Sequence, residues 1–138
     1  MFYVVKKSQL IIFTLLIIVL AAAICFSASS GDENAALCRN FLKDLGYSFE
    51  RTTFESSEII IPEGFGKVYE SYNALQKEAG FDLTPLRGKT VMRYSFHLKN
   101  EDYSIANILV SDGKICGGDI LDPSISGKMI PLIPKEKE

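Results

Sequence analysis

Few side chains in this chain could do chemistry: three cysteines, one histidine and a scattering of Asp and Glu among 138 residues. Cys25, Cys38 and Cys116 stand far apart and His97 stands alone, so no tetrahedral metal set can be read from spacing. His97 falls on the polar side of an alternating run with Arg93 and Lys99 as same-face neighbours, the setting of a solvated imidazole. No Ser or Cys in a nucleophile motif completes a triad with it. Gly117-Gly118-Asp119 invites a phosphate-loop reading, because amides in a glycine turn cradle anions. Yet no helix opening with Lys or Ser/Thr follows, and two glycines inside a strand mark a bulge or a closely crossing helix. Carboxylates are plentiful, but no two are spaced for acid and base work. No catalytic residue, metal ligand or cofactor is therefore expected.

Cys38 and Cys116 are the two thiols left once the start of the chain is set aside. In an oxidising compartment an even pair can bridge; equally, two free thiols can pack as small apolar groups. A bridge would close a loop of roughly 80 residues and contribute on the order of 4 kcal/mol.

The compartment follows from the first 30 residues. Lys6 and Lys7 precede an uncharged run from Leu10 to Phe26 in which Thr14 carries the only hydroxyl. That run reaches the lower bound of about 17 to 25 apolar residues for a spanning helix and exceeds the apolar core of about 7 to 15 residues in a cleaved signal. Length favours an uncleaved anchor, while Ser27 and Ser29 offer small residues for cleavage near Ser29 or Ser30. Lipid attachment at Cys25 is disfavoured by the β-branched Ile24 before it. Lysines before the run, with Asp32 and Glu33 after it, leave the amino terminus in the cytoplasm and the rest outside. The expected location is the cell membrane, single-pass, with secretion after cleavage as the alternative.

Beyond residue 30 the basic residues number 13, the 15 of the chain without Lys6 and Lys7, against all 17 acidic ones, a net charge of −4. No basic field is present to hold nucleic acid. The remaining length suits one small domain, which buries about 60–70% of its unfolded surface. The expected organisation is an anchor or signal segment over 1–30, a linker over 31–35, a domain over 36–133 and a charged tail over 134–138.

Which elements would carry the polar groups? "ENAALCRNFLKDLG" places Leu37, Cys38, Phe41, Leu42 and Leu45 on one helical face, with Asn34 as start cap and Gly46 as stop. "SEIIIP" is a buried strand closed by Pro62. Phe65, Val68, Tyr69, Tyr72, Leu75, Gln76 and Ala79 recur at helical spacing, which predicts a helix of about four turns with Asn73 on its outer face and Gly80 as its closing residue. Its aromatic stripe, Phe65, Tyr69 and Tyr72 with nearby Phe81, is the pattern of a core face before it is that of a ligand box. "TVMRYSFHLK" alternates, with Met92, Tyr94, Phe96 and Leu98 facing the core. Asp112-Gly113 is a type I′ hairpin turn pairing Val110 with Ile115, Leu109 with Cys116 and Ile108 with Gly117. Both faces of that hairpin are apolar, so it belongs inside the sheet. The expected fold is α+β: a membrane helix, then two helices on a mainly antiparallel sheet of about four strands. The expected order is helix, strand, helix, strand, strand, strand.

"YNALQKEAGFDLTPLRGK", residues 72–89, joins the long helix to a strand. Gly80 ends the helix, Phe81 and Leu83 fold back on its apolar face, Asp82 caps loop amides, and Pro85 with Gly88 shapes the turn. Ile61-Pro62, Val68-Tyr69, Tyr72-Asn73, Gly80 to Leu83, Gly88-Lys89, Arg93-Tyr94 and Gly117 to Asp119, with "SGKM" at 126–129, run in an order that resembles one family. It is the family catalogued as domain of unknown function four thousand eight hundred and thirty, exported or membrane-anchored proteins of Gram-positive bacteria. The resemblance spans 36–132, with Leu86 in place of an aromatic and Ile130 in place of a His. It implies location and fold and carries over no catalytic residue.

Polar residues on and around such a connector are where binding tends to sit, which singles out Asn73, Asp82, Arg87 and Arg93, together with Asp119. The expected function is a membrane-anchored extracytoplasmic domain that binds a protein or peptide of the cell envelope. A secreted hydrolase using carboxylates including Asp119 is the alternative. A second carboxylate beside Asp119 would favour the enzyme; an exposed apolar patch would favour binding.

Overall fold

The computed structural model describes residues 33–99, 104–122 and 127–136. The segment Leu10–Phe26, with the anchor, cleavage and Cys25 readings that rest on it, lies outside them. Among the described residues no helix is long and apolar enough to cross a membrane. Residues Asn34–Glu138 form one compact unit.

Its first element is a helix, α1 (33–44). Then come β1 (Phe49–Ile60), α2 (Lys67–Glu78), a single 3-10 turn at Thr84–Leu86, and four further strands. These are β2 (Thr90–Leu98), β3 (Ile105–Ser111), β4 (Lys114–Asp122) and β5 (Lys128–Pro131). The five strands lie in sequence order in one antiparallel sheet. The expected α+β architecture and element order hold, with one strand more than the sequence announced. β5 is short and ends on Pro131, a residue that an edge strand tolerates because it need not donate inward. β1 is also longer than "SEIIIP". Its first half is polar and passes through a register shift between the pairs Phe49↔Leu98 and Phe54↔Phe96, which hides its period.

The helices lie on opposite faces of the sheet. Ala35, Cys38 and Leu42 of α1 pack on Tyr94, Phe96, Ile108 and Ile120, the inward alternation foreseen for β2. Burying each of the largest of these side chains contributes about 1.5–3 kcal/mol. Phe54 stacks on Phe96 at 5.7 Å between ring centroids, and the Arg39 guanidinium lies 5.1 Å over the Phe54 ring. On the other face, Tyr69 and Tyr72 of α2 pack with Val91, Leu109 and Leu83. Phe81 turns away from this cluster and meets Phe41 of α1 edge-on at 6.2 Å.

Both helices close as their glycines require. Gly46 has φ +86° and Gly80 φ +85°. Tyr47 N donates to Leu42 O at 3.0 Å and Phe81 N to Gln76 O at 2.9 Å, the long bond of a Schellman stop in each case. At the other end of α1, Asn34 is already inside the helix rather than capping it. The helix α2 spans Lys67–Glu78, somewhat short of four turns, because Phe65 and Gly66 remain extended or bent before it. Asp112 and Gly113 take φ +50° and +69°, as a type I′ turn needs.

The hairpin register departs from the expected one after a single pair. Val110 faces Ile115, but a bulge then intervenes, so Leu109 faces Gly117 and Ile108 faces Gly118. Cys116 is the extra residue. It packs with the α2-side cluster, whereas Cys38 is buried in the α1-side cluster. Both thiols are free. Of the two readings open for Cys38 and Cys116, the placement agrees with free, packed thiols, because the sheet itself stands between the two side chains. Burial pushes the Cys38 thiol up to about 12 and that of Cys116 to about 11, the direction of inert apolar packing.

Candidate functional site

On the α2 side of the sheet a row of polar residues crosses the strands at one level. Ser95, Asn107 and Asp119 are direct cross-strand partners in β2, β3 and β4. Ser95 Oγ donates to Asn107 Oδ1 at 2.7 Å, and Asn107 Nδ2 donates to Asp119 Oδ1 at 2.9 Å. The second Asp119 oxygen accepts from Tyr72 OH of α2 at 2.8 Å. Asp119 is 3% exposed. Burial raises its pKa, while the bonds from Asn107 and Tyr72 and the charge of Arg93 pull it down. Tyr72 is raised in turn, by burial first and then by the neighbouring Asp119.

One helical turn beyond Tyr72, Gln76 is fully buried, and its Oε1 accepts from Gly118 N at 2.7 Å. Its Nε2 is buried with no partner among the described residues. A Cβ on Gly117 would stand 2.9 Å from Gln76 Oε1 and 3.2 Å from a Leu83 methyl. A Cβ on Gly118 would stand 2.7 Å from Asn107 O. The double glycine is thus a place of close approach by α2 and β3, as the sequence suggested.

The row floors a cleft of about 480 Å³ between α2 and the sheet. Its polar floor is Arg93, Asn107 and Asp119; its walls include Tyr69, Leu75 and Met129. At the mouth Val68 is 85% exposed and Met129 45%. Val68 was expected on the buried stripe, but α2 covers β4 and β5 and leaves its first turn overhanging. Arg93 is exposed, and its charge acts on Asp119 at the cleft floor. Among the described residues no three His, Cys, Asp or Glu gather as a metal site would require.

The five singled-out residues do not form one surface. Arg93 and Asp119 meet in the cleft. Asn73, expected on the outer face of α2, is 5% exposed and locks the connector: Nδ2 donates to Asp82 Oδ1 at 3.0 Å, and Oδ1 accepts from Leu83 N at 2.8 Å. Asp82 Oδ1 also accepts from Thr84 N at 2.9 Å and Thr84 Oγ1 at 2.6 Å. Those bonds, led by the Thr84 hydroxyl, hold the Asp82 carboxyl well below the usual range. Arg87 lies over the Phe65 ring at 4.3 Å. His97 is exposed on β2. Sequence reasoning missed Tyr72, Asn107 and Ser95. The signal available for Asn107 was an amide in the middle of an otherwise apolar strand, which demands a polar neighbour.

Compared with known proteins, the chain matches one family model, Domain of unknown function (DUF4830), over residues 41–120. The match covers the span from α1 through Asp119, more than half of the chain, and the chain belongs to this family. None of the curated proteins and none of the solved structures matches it.

Proposed function

We propose that this member of the DUF4830 family is an extracytoplasmic binding domain, held at the membrane by Leu10–Phe26. It receives an apolar segment of a protein or peptide partner in the cleft beneath α2. The observation that carries the reading is the cleft itself: about 480 Å³, within the range of about 300–1,000 Å³ in which ligand sites fall, with exposed Val68 and Met129 at its mouth. Apolar walls supply affinity, and a floor of fixed polar groups sets orientation. A partner side chain of Leu or Phe size would displace poorly held water from the walls and present its own backbone to Arg93.

The hydrolytic alternative draws less support. Asp119 has a raised pKa, but both its oxygens already accept hydrogen bonds. The next carboxylate in the row, Glu55, pairs with Ser95. It stands three strands from Asp119, about 14 Å by strand spacing, too far for a carboxylate pair that acts on one bond.

A photo-crosslinking residue in place of Val68, in cells of the native host, tests the reading against the same residue placed at Ile60, which is 69% exposed on the other face. A discrete adduct from position 68 that is absent from position 60 is expected. Equal adducts from both, or none from position 68, would overturn it. Protein from the culture medium whose sequence began near Ser30 would remove the anchor but leave the cleft.

A further inference from the structure

A second concavity lies at the far end of the sheet, where the last turn of α1 meets the start of β1 and the end of β2. It has a volume of about 300 Å³ and is lined by Lys43, Tyr47, Ser48, Phe49, Arg51 and Lys99. Three cations, from α1, from β1 and from the bend just past β2, therefore converge on one pocket in a domain whose net charge is negative. Among the described residues no carboxylate lines it; the sequence neighbours Asp44 and Glu50 do not. Lys43, Arg51 and Lys99 are all exposed.

The fold explains only part of this. Lys43, in the last turn of α1, complements the negative end of that helix. Arg51 and Lys99 serve no such end. Lys99 is held near Ser48 by its backbone, whose N–H donates to Ser48 O at 2.7 Å. Arg51 belongs to the stretch of β1 inserted between the pairs Phe49↔Leu98 and Phe54↔Phe96, where β1 uses more residues than β2. Such a bulge bends its strand and re-aims a side chain. Here it takes Arg51 out of the regular ladder and brings it to the wall shared with Lys43 and Lys99. Like charges brought together repel, and an anion between them offsets that repulsion.

We propose that this pocket binds a phosphate-bearing anion, with Arg51 giving a two-pronged contact to its oxygens and Lys43 and Lys99 giving point charges. The Ser48 hydroxyl supplies a neutral donor on the same wall. The dimensions admit one phosphate group with a small substituent, either free or as a lipid headgroup. This site is separate from the cleft beneath α2, and neither reading depends on the other.

The test uses the full chain in a non-ionic detergent, with amide NMR shifts followed at constant ionic strength balanced by chloride. The probes are inorganic phosphate, glycerol phosphate and dihexanoyl phosphatidylglycerol below its micelle concentration. A saturable response at Lys43, Ser48, Arg51 and Lys99 is expected. Arg51→Gln should weaken it about ten-fold, and Lys43→Gln or Lys99→Gln about five-fold, in line with loss of a charge-assisted hydrogen bond. Lys114→Gln and Lys128→Gln, exposed lysines on β4 and β5 and so across the sheet from the β1–β2 edge, should leave it within about two-fold. Tighter binding of the small phosphates identifies a free phosphate site, and tighter binding of the phosphatidylglycerol identifies a headgroup site; either upholds the pocket. No saturable response to any probe overturns it. So does equal weakening by the control substitutions, because that is general screening. Urea midpoints recorded on the same variants separate a lost contact from a lost fold.

Discussion

Replacing Tyr72 by Phe removes one hydroxyl from the centre of the cleft floor and leaves the ring that packs on Leu109 and Val91. The lost bond is the 2.8 Å donation to Asp119 Oδ2. When Asp119 is ionised, that bond has a charged acceptor, a class that contributes about 1.5–3 kcal/mol. When Asp119 is protonated, the bond is neutral and contributes about 0.5–1.5 kcal/mol. Burial raises the Asp119 pKa in the folded protein. Its contribution to stability is therefore full below the unfolded carboxylate value and lost as pH rises through the folded one. Deleting a donor that favours the charged form raises the folded pKa further, so Tyr72→Phe should cost little in acid and about twice as much above the Asp119 transition. Urea unfolding at pH 4 and at pH 8 measures this. With a slope of about 1–3 kcal/mol per molar, the midpoint at pH 8 should fall by about 1 M. Taking the difference from the unsubstituted protein at each pH cancels other titrations, Asp82 among them. Tyr69→Phe serves as control; that hydroxyl has no hydrogen bond among the described residues, and the change should stay within about 0.5 kcal/mol. A Tyr72→Phe cost below about 0.5 kcal/mol at pH 8, or an equal cost at both pH values, would refute the charged bond.

Other outcomes follow from neighbouring contacts. Gly118→Ala should destabilise by about 2–3 kcal/mol, and more than Gly117→Ala, because its new methyl meets the Asn107 backbone oxygen at 2.7 Å while the Gly117 methyl meets side-chain atoms that can shift; urea midpoints rank the two. Asn73→Ala leaves Leu83 N, a buried donor, without its acceptor, and should cost about 1–3 kcal/mol with protease sensitivity confined to residues 81–89. Asp82, with its lowered pKa, contributes stability above the unfolded carboxylate value that is lost as pH falls through the folded one, so Asp82→Asn should flatten the acid limb of the stability curve. Mass spectrometry of unreduced protein should find no Cys38–Cys116 link, with Cys38 alkylated only on unfolding; a linked peptide pair would mean that the two faces had been assigned wrongly.

Local signals in the sequence were read correctly where one residue type answers one geometric need. Gly46 and Gly80 at helix stops, Asp112-Gly113 at the hairpin, and the Met92 to Leu98 alternation all describe what the structure contains. Bulges defeated the strand facings. A regular hairpin from Asp112-Gly113 sets Asn107 opposite Gly118; the bulge at Cys116 sets it opposite Asp119. Cys116 lies on the Leu109 side in either register, away from Cys38, whereas the extra residue turns Gly117 and every residue after it to the opposite face. That turn also creates the polar row, which no pattern in the sequence announces. The shift in β1 conceals a strand half and the basic pocket in the same way. An inserted residue costs one unpaired amide locally but inverts every facing beyond it, so a period-2 reading fails on the far side of it.

The Gly-Gly-Asp segment then acquires a single physical reason for its three residue types. Tyr72 and Gln76, one turn apart on α2, present neighbouring polar ends to β4. Gly117 has no Cβ, which lets Gln76 approach; Gly118 supplies the amide that Gln76 accepts; Asp119 supplies the carboxylate that Tyr72 reaches. Docking α2 on β4 and orienting Asp119 are thus one event. A helix held by two polar bonds beside an open cleft is restrained in both height and rotation, which apolar packing alone leaves adjustable. Val68 at the mouth is then carried at a fixed distance from Met129 and Arg93. The width of the cleft, and with it the size of side chain that the cleft can admit, is set by how closely Gly117 lets the helix descend and by where the Gly118 amide holds Gln76.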